Sequence, residues 1–112
     1  DGKEWARRVF GPPPALEPEA LAAIAEAGAE LFETAVAAAE EGYNRFQGLR
    51  AALQERTGRK GKRLFMPLRA ALTGRCSGPE LQPIVDLMGG ERVVERLRRA
   101  AEVAAEDRAQ EE

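Results

Sequence analysis

From Leu21 onward the apolar residues of this chain return every three or four positions. Leu21, Ile24, Gly28, Leu31, Ala35 and Ala39 form one such row, with Ala25, Phe32 and Val36 beside it. That is the period of a helix face turned towards a core. The rhythm resumes in Phe46, Leu49 and Leu53, then in Leu64, Phe65, Leu68 and Leu72. It returns in Leu81, Ile84, Val85 and Met88, and last in Val93, Val94, Leu97, Ala101 and Ala104. Glycine or proline stands between the rows: Gly11-Pro12-Pro13-Pro14, Gly42, Gly58, Gly74 and Gly89-Gly90. β-branched and aromatic residues are sparse, which argues against sheet. The expectation is an all-α fold, a compact bundle of six or seven short helices, spanning residues 1–106, with 107–112 a frayed polar tail.

Local signals refine that picture. Trp5, Val9 and Phe10 lie near one face of a short opening helix, and Pro18 suits a helix start. The row through Gly28 predicts two helices or one bent one. Gly74 stops a helix, and Ser77-Gly78-Pro79-Glu80 matches a capping box for the next. Trp5, Phe10, Phe32, Phe46 and Phe65 are expected in the core, whereas Tyr43, after a glycine break, can be exposed. At 112 residues the chain suits one domain. It opens with Asp1 inside a helical-looking stretch, so it is expected to be a piece of a longer protein.

What the chain lacks narrows its chemistry. It has no histidine and a single cysteine, Cys76. That removes the commonest general base, the Ser-His and Cys-His nucleophile pairs, and the main zinc ligand. An internal disulfide is impossible, and a reducing, cytoplasmic setting is compatible. Gly58-Arg59-Lys60-Gly61-Lys62 only imitates a phosphate loop, since no strand precedes it. No apolar run is long enough to span a bilayer, and no secretory segment is present. No catalytic, cofactor or metal site is therefore expected within these residues, and a binding role remains.

The charge is unevenly placed. The chain is −2 overall, yet Arg56–Arg75 carries seven basic residues and no acidic one, and both flanks are net negative. On a helical wheel Leu64, Phe65, Leu68 and Leu72 fall within one arc of about 100°, while Lys62, Met66, Arg69 and Thr73 share the opposite side. Pro67 interrupts this segment, so the helix is expected to start late, near Met66, or to kink. A basic strip of this kind suits RNA: lysine and arginine neutralise phosphates, and a guanidinium both stacks and hydrogen-bonds. Arg69 is the leading candidate, beside the loop Gly74–Pro79 that leads into a helix N-terminus. A surface ion pair, for example with Glu80, is the plain alternative. For Leu81, helical spacing points to the core as readily as to a surface contact.

These residues also carry a resemblance. LFMPLRAALTG (Leu64–Gly74), GPEL (Gly78–Leu81) and MGGERVVERL (Met88–Leu97), preceded by GRKGK (Gly58–Lys62), resemble the C-terminal anticodon-binding region of bacterial glutamyl-tRNA synthetases. The N-terminal half is similar only in helical texture and lengths. The resemblance implies a class I synthetase, a glutamate–tRNA ligase using ATP and magnesium, whose catalytic core lies upstream. The motifs of that core are absent here. This piece would hold the anticodon loop of glutamate tRNA, as a monomer, in the cytoplasm. Carried over by position, Arg69 matches an arginine that reads an anticodon base. Leu81 matches an apolar residue that packs on a base, Gly78 and Pro79 match the turn that approaches one, and Gln82 corresponds more loosely. Lys60, Lys62 and Arg63 are expected on the RNA backbone, from charge alone. The family's arginine that separates glutamate from glutamine anticodons is not assigned to Arg7 or Arg8. Two rival readings stay open: a helical module binding an acidic protein partner through the same strip, and a bundle with no ligand.

Overall fold

Glycine at a left-handed or extended turn separates most of the helices, as the sequence rhythm implies. The computed structural model describes residues 9–111, with side chains to 107. Six helices follow in order: α1 Pro18–Ala27, α2 Ala29–Glu40, α3 Phe46–Thr57, α4 Lys62–Thr73, α5 Leu81–Met88 and α6 Gly90–Glu111. No strand occurs among the described residues. The Gly28 row is two helices, because Gly28 takes φ 88° and ψ 156°, which no helix continues through. Trp5, Arg7 and Arg8 lie outside the described residues, as does most of the expected opening helix.

The long helix α6 is the spine. It packs along α2, and α1 and α4 lie against it and against each other. α3 joins α2 to α5, so α5 is held chiefly from the α3 side. Ile24, Leu31, Phe32, Leu53, Leu64, Leu72, Met88 and Leu97 fill the interior. The radius of gyration is 12.8 Å, near the ~13 Å of a compact domain this long.

Several local expectations change. α4 neither starts late nor breaks: it runs unbroken from Lys62, with the amides of Leu64 and Phe65 bonding the Gly61 carbonyl and Pro67 inside. The capping box does not form. Gly78 holds φ 149°, and α5 begins only at Leu81, without a side-chain cap. Pro83 explains the delay. A helix from Gly78 would bury Pro83 in its interior, whereas starting at Leu81 puts it in the first turn, where its missing N–H costs nothing. Phe10 is 49% exposed rather than core, and the Arg92 guanidinium lies 5.9 Å from its ring centre. Phe46 and Phe65 are half-buried and pair at 5.9 Å. Thr73 leaves the polar stripe altogether: it is buried, donating to the Arg69 carbonyl at 2.7 Å. α6 is helical as far as Glu111.

Two polar devices brace the bundle. The Asp86 carboxylate on α5 accepts the Phe46 amide at 3.0 Å, capping α3 from another helix. Arg96 of α6 is fully buried and donates to the carbonyls of Leu72 at 2.8 Å, Gly11 at 3.1 Å and Val9 at 3.4 Å. Arg92 and Arg99 donate to the Phe10 and Pro14 carbonyls. Three arginines thus strap segment 9–14 onto α6.

Candidate nucleic-acid interface

Arg69 lies on α4, one turn before its end, and its Nη1 donates to the Pro79 carbonyl at 2.7 Å. That carbonyl is available for a covalent reason. In a helix it would await an amide from residue 83, and Pro83 has none. The guanidinium takes the vacancy and pins the turn ahead of α5. Its partner is backbone rather than the Glu80 carboxylate. The rest of this half-buried guanidinium is left to stack or to donate.

Around this bond lies an exposed ledge. Ser77, Gly78, Pro79 and Glu80 are all exposed. Below them α5 opens with Leu81 and Gln82, whose amides precede any intrahelical acceptor. Leu81 itself is 6% exposed and sits with Ile84, Val85 and Met88 in the core. Its side chain supports the ledge from beneath. Gln82 faces outward, and its Oε1 accepts from Gln47 of α3 at 3.2 Å. Gln47 in turn accepts from Arg50 at 3.0 Å. The structure therefore brings Arg69, Gly78 and Pro79 together and sets Gln82 towards α3.

The basic residues take a second edge of α4. Lys60, Lys62 and Arg63 are exposed. Lys62 and Arg63 line a groove of about 420 Å³ between α1 and α4, with Ala23, Glu26, Ala27, Arg59, Met66 and Pro67. Lys60 stays outside it, in the loop before α4. Arg59, which charge counting alone left unassigned, donates to the Ala27 carbonyl at 2.9 Å and so closes the end of α1. Positive charge at a helix C-terminus is favourable there. The opposite holds at α4, whose first turn carries Lys62 and Arg63 and no acid. Two cations at the positive end of a helix dipole repel it, and a bound anion relieves that repulsion.

An open depression of about 980 Å³ beside α6 is rimmed by Glu40, Glu91, Glu95 and Glu102 against Arg98 and Arg99. An Arg98–Glu40 ion pair of 3.0 Å crosses it. Cys76 is a free thiol, half-buried, and burial raises its pKa.

The model of the family described as "Anticodon binding domain" matches residues 4–101. The chain belongs to the anticodon-binding domain family. It is 72% identical over 110 residues to glutamate–tRNA ligase 1 of Halorhodospira halophila, covering 98% of this chain and 23% of that protein. It is 50% identical over 101 residues to glutamate–tRNA ligase 2 of Alkalilimnicola ehrlichii, covering 90% and 21%. Over 49 residues it is 57% identical to the glutamate–tRNA ligase of Geobacillus thermodenitrificans, covering 44% and 10%. This anticodon-binding domain spans about a quarter or less of the length of these relatives. No solved structure gives a significant match. Among the described residues no helix is long and apolar enough to cross a membrane.

Proposed function

We propose that this chain is the anticodon-binding domain of a bacterial glutamate–tRNA ligase, and that the Arg69–Pro79 ledge holds the anticodon loop of glutamate tRNA. The observation that carries the site is the Arg69–Pro79 bond. It fixes a planar cation beside exposed backbone, in a chain of the anticodon-binding family. An unstacked base laid on the ledge meets the face or free edge of Arg69, the backbone of Gly78 and Pro79, and the first amides of α5. Gln82 adds an amide at the side of the ledge. Lys60, Lys62 and Arg63 neutralise the phosphates on either side.

In this reading the longer enzyme attaches glutamate to its tRNA in the cytoplasm, and this domain acts as one copy. ATP and magnesium belong to that enzyme's catalytic core. The described residues here include no group of three or more His, Cys, Asp or Glu placed to hold a metal ion.

The test is Arg69→Ala against the glutamate anticodon stem-loop. Binding weakens by ~1–3 kcal/mol, the scale of a bidentate base contact. Stability falls by less than about 1 kcal/mol, for one exposed hydrogen bond. Unchanged RNA affinity with a sharp fall in thermal stability would make Arg69 a structural brace instead.

A further inference from the structure

We propose that the groove between α1 and α4 is a second nucleotide subsite, and that it takes an unstacked base carrying an exocyclic amino group. The inference rests on the ledge being an RNA site and adds a separate position to it. Arg69 and Lys62 lie seven residues apart on α4, about 10 Å along the helix axis. The groove opens on the α1 side of α4 and the ledge on the side of the turn before α5, so a nucleotide in one is a different one from that in the other.

The groove has two halves of different chemistry. Ala23, Ala27, Met66 and Pro67 form an apolar floor, and Arg59, Lys62, Arg63 and Glu26 form the rim. Its volume of about 420 Å³ lies within the range of roughly 300–1,000 Å³ common to small-ligand pockets. Lys62 and Arg63 supply the phosphate contact, at the helix end where their charges otherwise repel the dipole. Arg59 is tethered by its bond to the Ala27 carbonyl, which leaves its other donors open.

Glu26 supplies the selectivity. It shares this rim with three cations, yet pairs with none of them among the described residues. An unpaired carboxylate is a poor neighbour for a phosphate and a good acceptor for an amino N–H. Cytosine, adenine and guanine each carry such a group, whereas uracil carries carbonyl oxygens in its place.

The experiment uses anticodon stem-loop RNA in which each loop nucleotide in turn is made abasic, with affinity read by fluorescence anisotropy. The native chain shows a loss of about tenfold at one loop nucleotide besides those sensitive to Arg69→Ala. Ala23→Phe fills the floor without changing charge and abolishes that loss. Glu26→Gln, at an exposed position that leaves folding intact, weakens the preference for an amino-bearing base over uracil at the same nucleotide. Glu26→Gln also keeps the test open should Ala23→Phe misfold by circular dichroism. An unchanged abasic profile in Ala23→Phe, or an unchanged base preference in Glu26→Gln, overturns the subsite. If Arg69→Ala still weakens binding in that case, the ledge stands without the groove. If Arg69→Ala changes nothing either, the RNA reading fails with it.

Discussion

Arg96 sets the energetics of the interior. Among the described residues no carboxylate lies within ion-pair distance of it, and its hydrogen bonds go to backbone carbonyls. Burial, and the neighbouring charge of Arg99, lower its pKa from the ordinary arginine value to about 10. The Leu72 carbonyl is one of the unsatisfied acceptors at the end of α4, so the guanidinium serves as a helix cap from another element. Arg96→Met keeps the volume and strands those carbonyls, for an expected loss of about 1–3 kcal/mol in urea unfolding. Arg96→Ala also opens a cavity and is expected to cost ~3–5 kcal/mol. The pH dependence has a definite sign. Above about 10, and up to the ordinary arginine value, the unfolded chain keeps this proton and the folded chain has released it. Native stability relative to Arg96→Met therefore rises as pH climbs through that window, and is lowest below it. A flat or falling difference would show that the site is more polar than its burial implies. None of this was legible in the sequence, where Arg96 is one of five basic residues in an acidic flank.

At the scale of elements, two glycines with nearly the same backbone separate local geometry from packing. Gly58 ends α3 with φ 74°, and a Cβ there meets nothing within 4 Å. Gly74 ends α4 with φ 78°, and a Cβ there meets the Ala15 carbonyl oxygen at 2.6 Å. The Gly74 carbonyl also accepts the Glu17 amide at 3.0 Å, and Arg75 pairs with Glu17 at 3.3 Å. Gly58→Ala should cost about 1–2 kcal/mol, the left-handed penalty alone. Gly74→Ala should cost clearly more, since the backbone at Pro14 and Ala15 must shift as well; equal melting temperatures for the two variants would refute that close approach. Both stops were readable from the sequence, because glycine after an apolar row is a local signal. The close approach was not, because its contacts join residues some sixty positions apart along the chain. The prolines divide in the same way. Pro67 and Pro83 announce missing amides, but the partner of the Pro79 carbonyl emerges only when Arg69 folds back onto it.

For the whole molecule the charge pattern of the sequence becomes a spatial one. The acid-free block Arg56–Arg75 supplies both the ledge arginine and the rim of the groove, while glutamates border the depression beside α6. A phosphate track on the basic edge predicts that Lys62→Ala lowers affinity for many RNAs alike. It should also reduce the slope of log K against log salt by about 0.7, one phosphate contact on a single strand. An unchanged slope would count against the track. The domain spans under a quarter of its long relatives, so the isolated chain is expected to bind the stem-loop with micromolar or weaker affinity. Nanomolar binding would contradict a division of contacts with the rest of the enzyme.

The helical class, the positions of most breaks, the core rows and the basic strip follow from residue order alone. Apolar period and glycine placement act over a few residues and need no partner. The motif string from Gly58 to Leu97 likewise pointed to the family before any coordinates. Burial of Leu81 and Thr73, exposure of Phe10, the Arg69–Pro79 bond and the Glu26–Arg59 groove were decided by tertiary structure. Each depends on which segments meet across thirty or more residues, or on which of two chemically possible acceptors a long side chain reaches. Local spacing carries no information about either.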